Sequence, residues 1–279
     1  MNKPEPDRRG IDAKLELLRA WIRDHRPLVV AYSGGVDSAL LTRVAVDEVG
    51  DDVVAALAVG PSLPRRERVI AERMARAMGV RLEILETREF EDERYLSNAG
   101  DRCYWCRSAL VEALRPYASR RGAHLAYGAV PEDLGDDRPG MRAAEEGGVS
   151  APLIEVGLTK KEVRELARRY QLEVWDKPAS ACLSSRVEVG ERVTPGRLAR
   201  IEAAEDGLLA MGFRQVRVRD HGTLARIEVG RDELERLLAP ETRQRVAALV
   251  RQAGFEKVAV DLEGYRPAGS AGRLPALGE

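Results

Sequence analysis

The chain has 279 residues, 44% hydrophobic and 5% aromatic, enough for one large core or for one core with a smaller satellite. Its 45 Lys and Arg against 46 Asp and Glu leave a net charge near −1, without the basic excess of an electrostatic nucleic-acid binder. No apolar run reaches the roughly 18 residues of a membrane span, and Met1 to Gly10 lack the apolar segment of a signal peptide, so a cytoplasmic protein with no membrane contact is expected.

Ile11, Leu15, Leu18, Trp21 and Ile22 fall at helical spacing and predict a helix over 11–25, stopped by Pro27. Leu28 to Tyr32 reads as a buried strand running into Ser33-Gly34-Gly35, with a helix from Val36 to Val49 behind it. A second strand over 53–59, a helix over 64–78 closed by Gly79, a third strand over 80–85, a helix over 104–120 and a fourth strand over 124–127 follow. This alternation predicts an α/β fold, a doubly wound parallel sheet with helices on both faces. Residues 131–150, rich in Gly, Pro and acids, read as one long loop. Thr159 and Glu162 form a capping box for a helix reaching Tyr170, and 175–193 read as a second loop. Beyond it come a helix over 195–211, strands over 215–219 and 224–229 joined around His221-Gly222, two helices and a last strand over 257–262. The boundary is expected near residue 190, giving domains 1–190 and 191–279, the second ending in a flexible tail from Pro267.

Ser33-Gly34-Gly35-Val36-Asp37-Ser38 stands between the first strand and its helix. Glycines let backbone approach a ligand closely, and the helix start offers unpaired N–H groups and partial positive charge to phosphate. Ser33 and Ser38 add hydroxyl donors, whereas Asp37 is unfavourable beside phosphate unless a Mg²⁺ lies between. The spacing is neither a Walker A loop nor a dinucleotide fingerprint. It resembles the SGGxDS signature of PP-loop ATP pyrophosphatases. That resemblance implies ATP bound through its pyrophosphate part, adenine near Leu57 to Val59, and substrate oxygen attacking the α-phosphorus.

Cys103 and Cys106 form a C-x-x-C beside Arg102 and Arg107 at a helix start, and Cys182 lies in ACLSSR. An odd cysteine count in a reducing compartment points to chemistry or metal. Several readings stay open: zinc with His221 as fourth ligand, a redox pair, Cys182 as sulfur donor or persulfide carrier, three thiolates on a [4Fe–4S] cluster, or three unrelated buried thiols.

The segments AYSGGVDSALL, PSLPRRE, DRCYWCR, EDLGDDRPG, PLIEVGLTKKEVRELA, WDKPASACLSSRV, VRVRDHGTLARIEV and DLEGYR together resemble the LarE family of ATP-dependent sulfur transferases, over about residues 11–270. The resemblance implies an enzyme of nickel-pincer nucleotide biosynthesis, serving lactate racemase maturation. It would adenylylate the carboxylates of pyridinium-3,5-biscarboxylic acid mononucleotide, replace oxygen by sulfur and release PPi and AMP. It also implies a homo-oligomer. Cys182 stands where some members give up a cysteine sulfur. Cys103, Cys106 and Cys182 match the three-cysteine type, in which a [4Fe–4S] cluster delivers sulfide, and that type is favoured. Arg186 could bind a substrate carboxylate or phosphate, as could Arg138, and Arg217 and Arg219 alternate on one strand so that both can face one site. His221 reads as a turn residue or hydrogen-bonding group, and Glu132, Asp133, Asp136 and Asp137 as a solvated acidic loop or Mg²⁺ ligands. Val130 replaces the family's usual Asn, and Gly264-Tyr265-Arg266 lacks the Asn-Glu that usually follows. The competing classes are a tRNA thiolase, an ammonia-using amide synthetase, which would not need the cysteines, and a non-enzymatic nucleotide-binding regulator.

Overall fold

The computed structural model describes residues 10–134, 139–178 and 181–265. The chain divides into two compact units, Met1–Ala181 and Cys182–Glu279. The division falls before the 190 boundary read from composition, so the ACLSSR segment from Cys182 onward goes with the second unit.

The first unit runs α1 (Ile11–Asp24), β1 (Leu28–Tyr32), α2 (Val36–Val49), β2 (Val53–Val59), α3 (Arg65–Met78), β3 (Arg81–Glu86), α4 (Glu93–Leu96), α5 (Arg102–Arg120), β4 (His124–Tyr127), α6 (Pro139–Glu146), α7 (Pro152–Glu155) and α8 (Lys160–Arg169). Its four strands lie in the order β3-β2-β1-β4, and every pairing is parallel. The central strands β1 and β2 are apolar on both faces, as strands covered on both sides require. Leu28, Val30, Tyr32, Val53, Ala55 and Leu57 point into a core shared with α1, α2, α3 and α8. Their alternates Val29, Val54 and Ala56 meet Leu114, Tyr117 and Ala118 of α5 on the opposite face. The expected doubly wound architecture is therefore present.

The chain steps from β1 outward through β2 to β3, then returns to place β4 on the other side of β1. Loops leaving β1 and β4 thus diverge at the carboxyl end of the sheet, and such a switch point opens a crevice where α/β sheets bind ligands.

The 131–150 stretch is not one loop: it holds a short 3₁₀ turn at Pro131–Leu134 and the helix α6. Glycines flanking Met141 to Glu146 hide the helix in the sequence. Its stability comes from tertiary contact, with Ala143 and Ala144 buried and Gly147 so close to Val111 of α5 that a Cβ there would lie 2.6 Å from it. The capping box of α8 forms as read, Thr159 accepting from the Glu162 amide and the Glu162 carboxylate accepting from the Thr159 amide. Residues 136–138 and the tail from Pro267 lie outside the described residues.

The second unit runs α9 (Pro195–Ala210), β5 (Val216–His221), β6 (Leu224–Val229), α10 (Leu234–Leu238), α11 (Pro240–Gln252) and β7 (Lys257–Val260). β5 and β6 pair antiparallel and β7 adds parallel to β6, forming a separate small sheet. Leu208, Phe213, Val218, Ile227 and Val250 are buried in it. No helix among the described residues is long and apolar enough to cross a membrane.

Candidate functional site

In the first unit, a cavity of about 190 Å³ opens at the switch point, lined by Tyr32 of β1 with Ser33, Asp37 and Ser38 beyond it, Leu57 and Ala58 of β2, Leu63, Arg107 of α5, and Tyr127 of β4 with Gly128 beyond it. The loop under it is tightly built. Gly34 sits at φ +70°, and a Cβ there would lie 2.6 Å from the Ala71 Cβ of α3. Ser33 and Ser38 hydroxyls lie 3.1 Å apart, the Ser33 amide donates to Ser38 Oγ at 3.2 Å, and the Gly35 amide donates to Ser33 Oγ at 3.3 Å. Gly35 is the N-cap of α2 and brings no side-chain cap, so the cap residue offers no side-chain acceptor to the first-turn amides.

β4 comes equally close. A Cβ on Gly128 would lie 2.6 Å from the Ser38 amide nitrogen and 2.8 Å from the Asp37 carbonyl carbon. Beside it, the Arg107 guanidinium lies 5.4 Å from the Tyr127 ring centroid, a cation–π contact that holds a positive charge at the cavity wall. Burial raises the Tyr127 phenol above its ordinary value, and the nearby Arg107 charge opposes the shift.

Asp37 does not stand uncompensated. Its carboxylate oxygens lie 2.7 and 2.5 Å from Lys160 Nζ, from the first turn of α8. Burial still raises the Asp37 carboxyl above its ordinary range, against the lowering effect of Lys160. Glu132 accepts from the Lys160 amide at 2.9 Å and Asp133 from the Val130 amide at 3.1 Å, so both acids of the 3₁₀ turn hold backbone.

The two C-x-x-C thiols stand one helical turn apart near the start of α5, Cys103 exposed and Cys106 half-buried. The turn between them is fixed from outside. Trp105 donates from its indole nitrogen to Asp101 at 2.8 Å and carries the Arg94 guanidinium 3.8 Å above its ring.

In the second unit, Cys182 begins the 3₁₀ turn Leu183–Arg186 as a free, half-buried thiol. Its carbonyl accepts from Arg186 Nη1 at 2.7 Å and from Ser185 Oγ at 2.8 Å. The same guanidinium makes a two-point pair with Glu205 of α9, at 2.9 and 3.1 Å, and both side chains are 0% exposed. The Glu205 carboxylate also accepts from the Val218 amide of β5 at 3.1 Å.

On β5, Arg217 and Arg219 alternate onto one face. Arg219 pairs at two points with Glu228 of β6, at 2.9 and 3.0 Å, and donates to the Ser185 carbonyl at 2.9 Å. Arg217 is buried, donates to its neighbour's carbonyl Val216 O at 2.8 Å and lies 5.1 Å from the Tyr265 ring centroid. Burial first, and the charge of Arg186 second, lower its affinity for the proton. Arg226 contributes a fourth guanidinium, 3.3 Å from Glu228. Arg186, Arg219 and Arg226 thus have Glu205, Glu228 and Asp261 among their acidic partners.

No family model matches the chain. It is 32% identical over 255 residues to pyridinium-3,5-bisthiocarboxylic acid mononucleotide synthase of Lactiplantibacillus plantarum, covering 91% of this chain and 92% of that one. The chain belongs to the LarE family. An uncharacterised protein of Synechocystis is 39% identical over 257 residues, covering 92% of this chain and 96% of its own. One from Methanocaldococcus jannaschii is 27% identical over 243 residues, covering 87% and 92%.

Within this LarE-family chain the phosphate-loop residues Ser33, Asp37 and Ser38, with Leu57, line one cavity. Val59 does not line it; its carbonyl accepts from the Thr87 amide at 3.1 Å where β3 ends. Arg186 departs from the expectation of a substrate contact. Its charge is buried and engaged by Glu205, the Cys182 carbonyl and Ser185 Oγ. His221 bonds through Nδ1 to Glu188 at 2.8 Å. Within each unit, no group of three or more His, Cys, Asp or Glu able to hold a metal ion occurs among the described residues. Cys103 and Cys106 belong to the first unit and Cys182 to the second. The sequence does not single out Arg107 for this cavity or Lys160 as the partner of Asp37. The helical register of KKEVRELA could have placed Lys160 at a helix start, but nothing local pairs it with Asp37.

Proposed function

We propose that the chain is an ATP-dependent sulfur transferase that converts the carboxylates of pyridinium-3,5-biscarboxylic acid mononucleotide to thiocarboxylates. The observation that carries this reading is the likeness, over 91% of the chain, to a synthase named for the bisthiocarboxylate product. The cavity supports the nucleotide half, since its Ser hydroxyls, first-turn amides and Arg107 suit the pyrophosphate part of ATP.

In this reading a substrate carboxylate oxygen attacks the α-phosphorus of ATP. The bond from that phosphorus to the bridging oxygen breaks, and PPi leaves with the electron pair. The acyl-adenylate then takes sulfide at its carbonyl carbon, and AMP leaves with the C–O electron pair. Ser33, Ser38 and the α2 amides hold the leaving PPi, and Lys160 and Arg107 offset its charge. Mg²⁺, for which Asp37 is the nearest carboxylate in the loop, would add further charge neutralisation there. Arg217 and Arg219 orient the anionic mononucleotide. Arg186 holds Cys182.

The ligands of an iron–sulfur centre would be Cys103 and Cys106, one helical turn apart on α5, together with Cys182, none of which is in a disulfide. A [4Fe–4S] cluster on these three ligands would supply renewable sulfide. A second reading takes the sulfur from Cys182 itself, favoured by the way Arg186 and Ser185 pin that residue's carbonyl.

Anaerobic purification, an iron and sulfide assay, and PPi release with the pyridinium dicarboxylate test both. About four irons per chain, lost in each of Cys103→Ala, Cys106→Ala and Cys182→Ala, with repeated turnover, supports the cluster. An iron-free protein that turns over once and loses the Cys182 sulfur supports sacrificial donation. No substrate-dependent PPi release would refute the function itself.

A further inference from the structure

The turn that leaves β2 forms part of the cavity wall through Leu63, and it is braced from beneath by a carboxylate that no phosphate-loop motif accounts for. Glu89, just past β3, is 3% exposed. Its Oε1 accepts the Ser62 hydroxyl at 3.2 Å. The approach to the chain is so close that a Cβ on Gly60 would lie 2.5 Å from that oxygen and 3.0 Å from Thr87 Oγ1. Thr87 completes the clasp, its amide donating to the Val59 carbonyl at 3.1 Å, and the turn closes on itself through the Leu63 amide and the Gly60 carbonyl at 3.1 Å.

The other carboxylate oxygen of Glu89 is buried with no hydrogen-bond partner among the described residues. An acceptor buried without a donor opposes folding, and an apolar side chain would fill the same space without that cost. A carboxylate is therefore a poor choice for stability alone. What it does provide is a directional hold on Ser62, next to the residue that lines the cavity.

We infer that Glu89 is a positioning residue for the nucleotide, fixing the Gly60–Leu63 turn so that Leu63 forms a set wall of the cavity. The inference rests on the ATP reading of that cavity. Glu89 makes no contact with ATP itself; it acts through Ser62 and the turn.

The test compares wild type, Glu89→Leu, Ser62→Ala and the double variant as full-length chains. ATP binding is measured by calorimetry, and KM for ATP, KM for the pyridinium substrate and kcat by PPi release. Glu89→Leu removes the acceptor at similar volume, and Ser62→Ala keeps the buried carboxylate should the first variant fold poorly. Loss of one directional hydrogen bond predicts ATP binding weaker by about tenfold. The pyridinium KM and kcat should stay within about twofold, and the double variant should be no worse than the worse single, because both act through one bond. Unchanged ATP affinity in both variants, even with a lower melting temperature, would overturn the positioning role. So would an equal rise in KM for both substrates. If the wild type itself bound no ATP, the nucleotide reading and this inference would fall together, whereas normal wild-type binding with unaltered variants overturns the inference alone.

Discussion

Lys160 Nζ lies 2.7 and 2.5 Å from the two carboxylate oxygens of Asp37, across 123 positions of sequence. The pair joins the first turn of α8 to the first turn of α2, the helix whose amides face the cavity. It also offsets the charge of the one acid in the Ser33–Ser38 loop. The lysine is 33% exposed and can turn toward a bound anion without first emerging from a core.

Replacing Lys160 by Ala removes a cation from the place where negative charge grows as PPi leaves. Losses of this kind run to about a hundredfold in kcat. PPi release at saturating ATP should fall by that order in Lys160→Ala, and Lys160→Arg should recover part of it. An unchanged kcat would show that the lysine only balances Asp37.

Asp37 also predicts a pH-dependent difference in stability. Its folded-state carboxyl is raised above the ordinary value of 3.8, chiefly by burial. Below that value the folded and unfolded states both carry the proton and nothing is lost. As pH rises through it, the unfolded state ionises first, so wild type loses stability until the pH passes the raised folded value. Asp37→Asn does not titrate. Its melting temperature should therefore rise relative to wild type across this window and level off above it, while PPi release declines. Parallel melting curves at every pH would refute the shift.

The turn after β1 was legible because its signals are local: Ser33 to Ser38 carry the glycines, the helix start and two hydroxyls in six consecutive positions. The sheet was legible because Leu28–Tyr32 and Val53–Val59 are apolar on both faces. The Asp37–Lys160 pair could not be read, since no local pattern links α2 to α8. Helix α6 was missed because Gly140, Gly147 and Gly148 read as loop, when Gly140 and Gly147 instead allow close packing on α5. Arg186 looked like a surface or substrate-binding arginine, and only the fold reveals Glu205 beneath it.

Gly128 should tolerate no side chain. A Cβ there would meet backbone atoms of Asp37 and Ser38, which cannot swing aside as a flexible side chain would. Gly128→Ala should cost about 1–3 kcal/mol in urea unfolding and weaken ATP binding by more than about tenfold. Gly122→Ala is a useful contrast, because a Cβ there meets nothing within 4 Å and any cost comes only from its φ of +58°.

Arg217→Gln should separate the two substrates. Losing one charge-assisted contact to the mononucleotide costs about 1.5–3 kcal/mol, or roughly ten- to a hundredfold in its KM. KM for ATP should not move, because the cavity proposed for ATP is lined by residues of the first unit. Steady-state PPi release with each substrate varied in turn checks this, and an equal change in both KM values would count against Arg217 as a mononucleotide contact.

The Arg186–Glu205 pair predicts the largest effect on stability. Both side chains are fully buried, so Arg186→Ala strands the Glu205 carboxylate and should cost about 3–5 kcal/mol in urea unfolding. The exposed pair Arg214–Asp232, at 77% and 66%, should cost no more than about 1 kcal/mol when broken. Replacing both buried partners, Arg186→Met with Glu205→Leu, removes the stranded charge and should restore most of the loss. Recovery should stay incomplete, because Glu205 also accepts the Val218 amide, and an amide left unpaired there costs about 1–3 kcal/mol. Sulfur transfer should stay low in the double variant even where stability returns, since the Cys182 carbonyl no longer has its guanidinium donor. Full activity in a stable double variant would show that Arg186 serves the fold and not the position of Cys182.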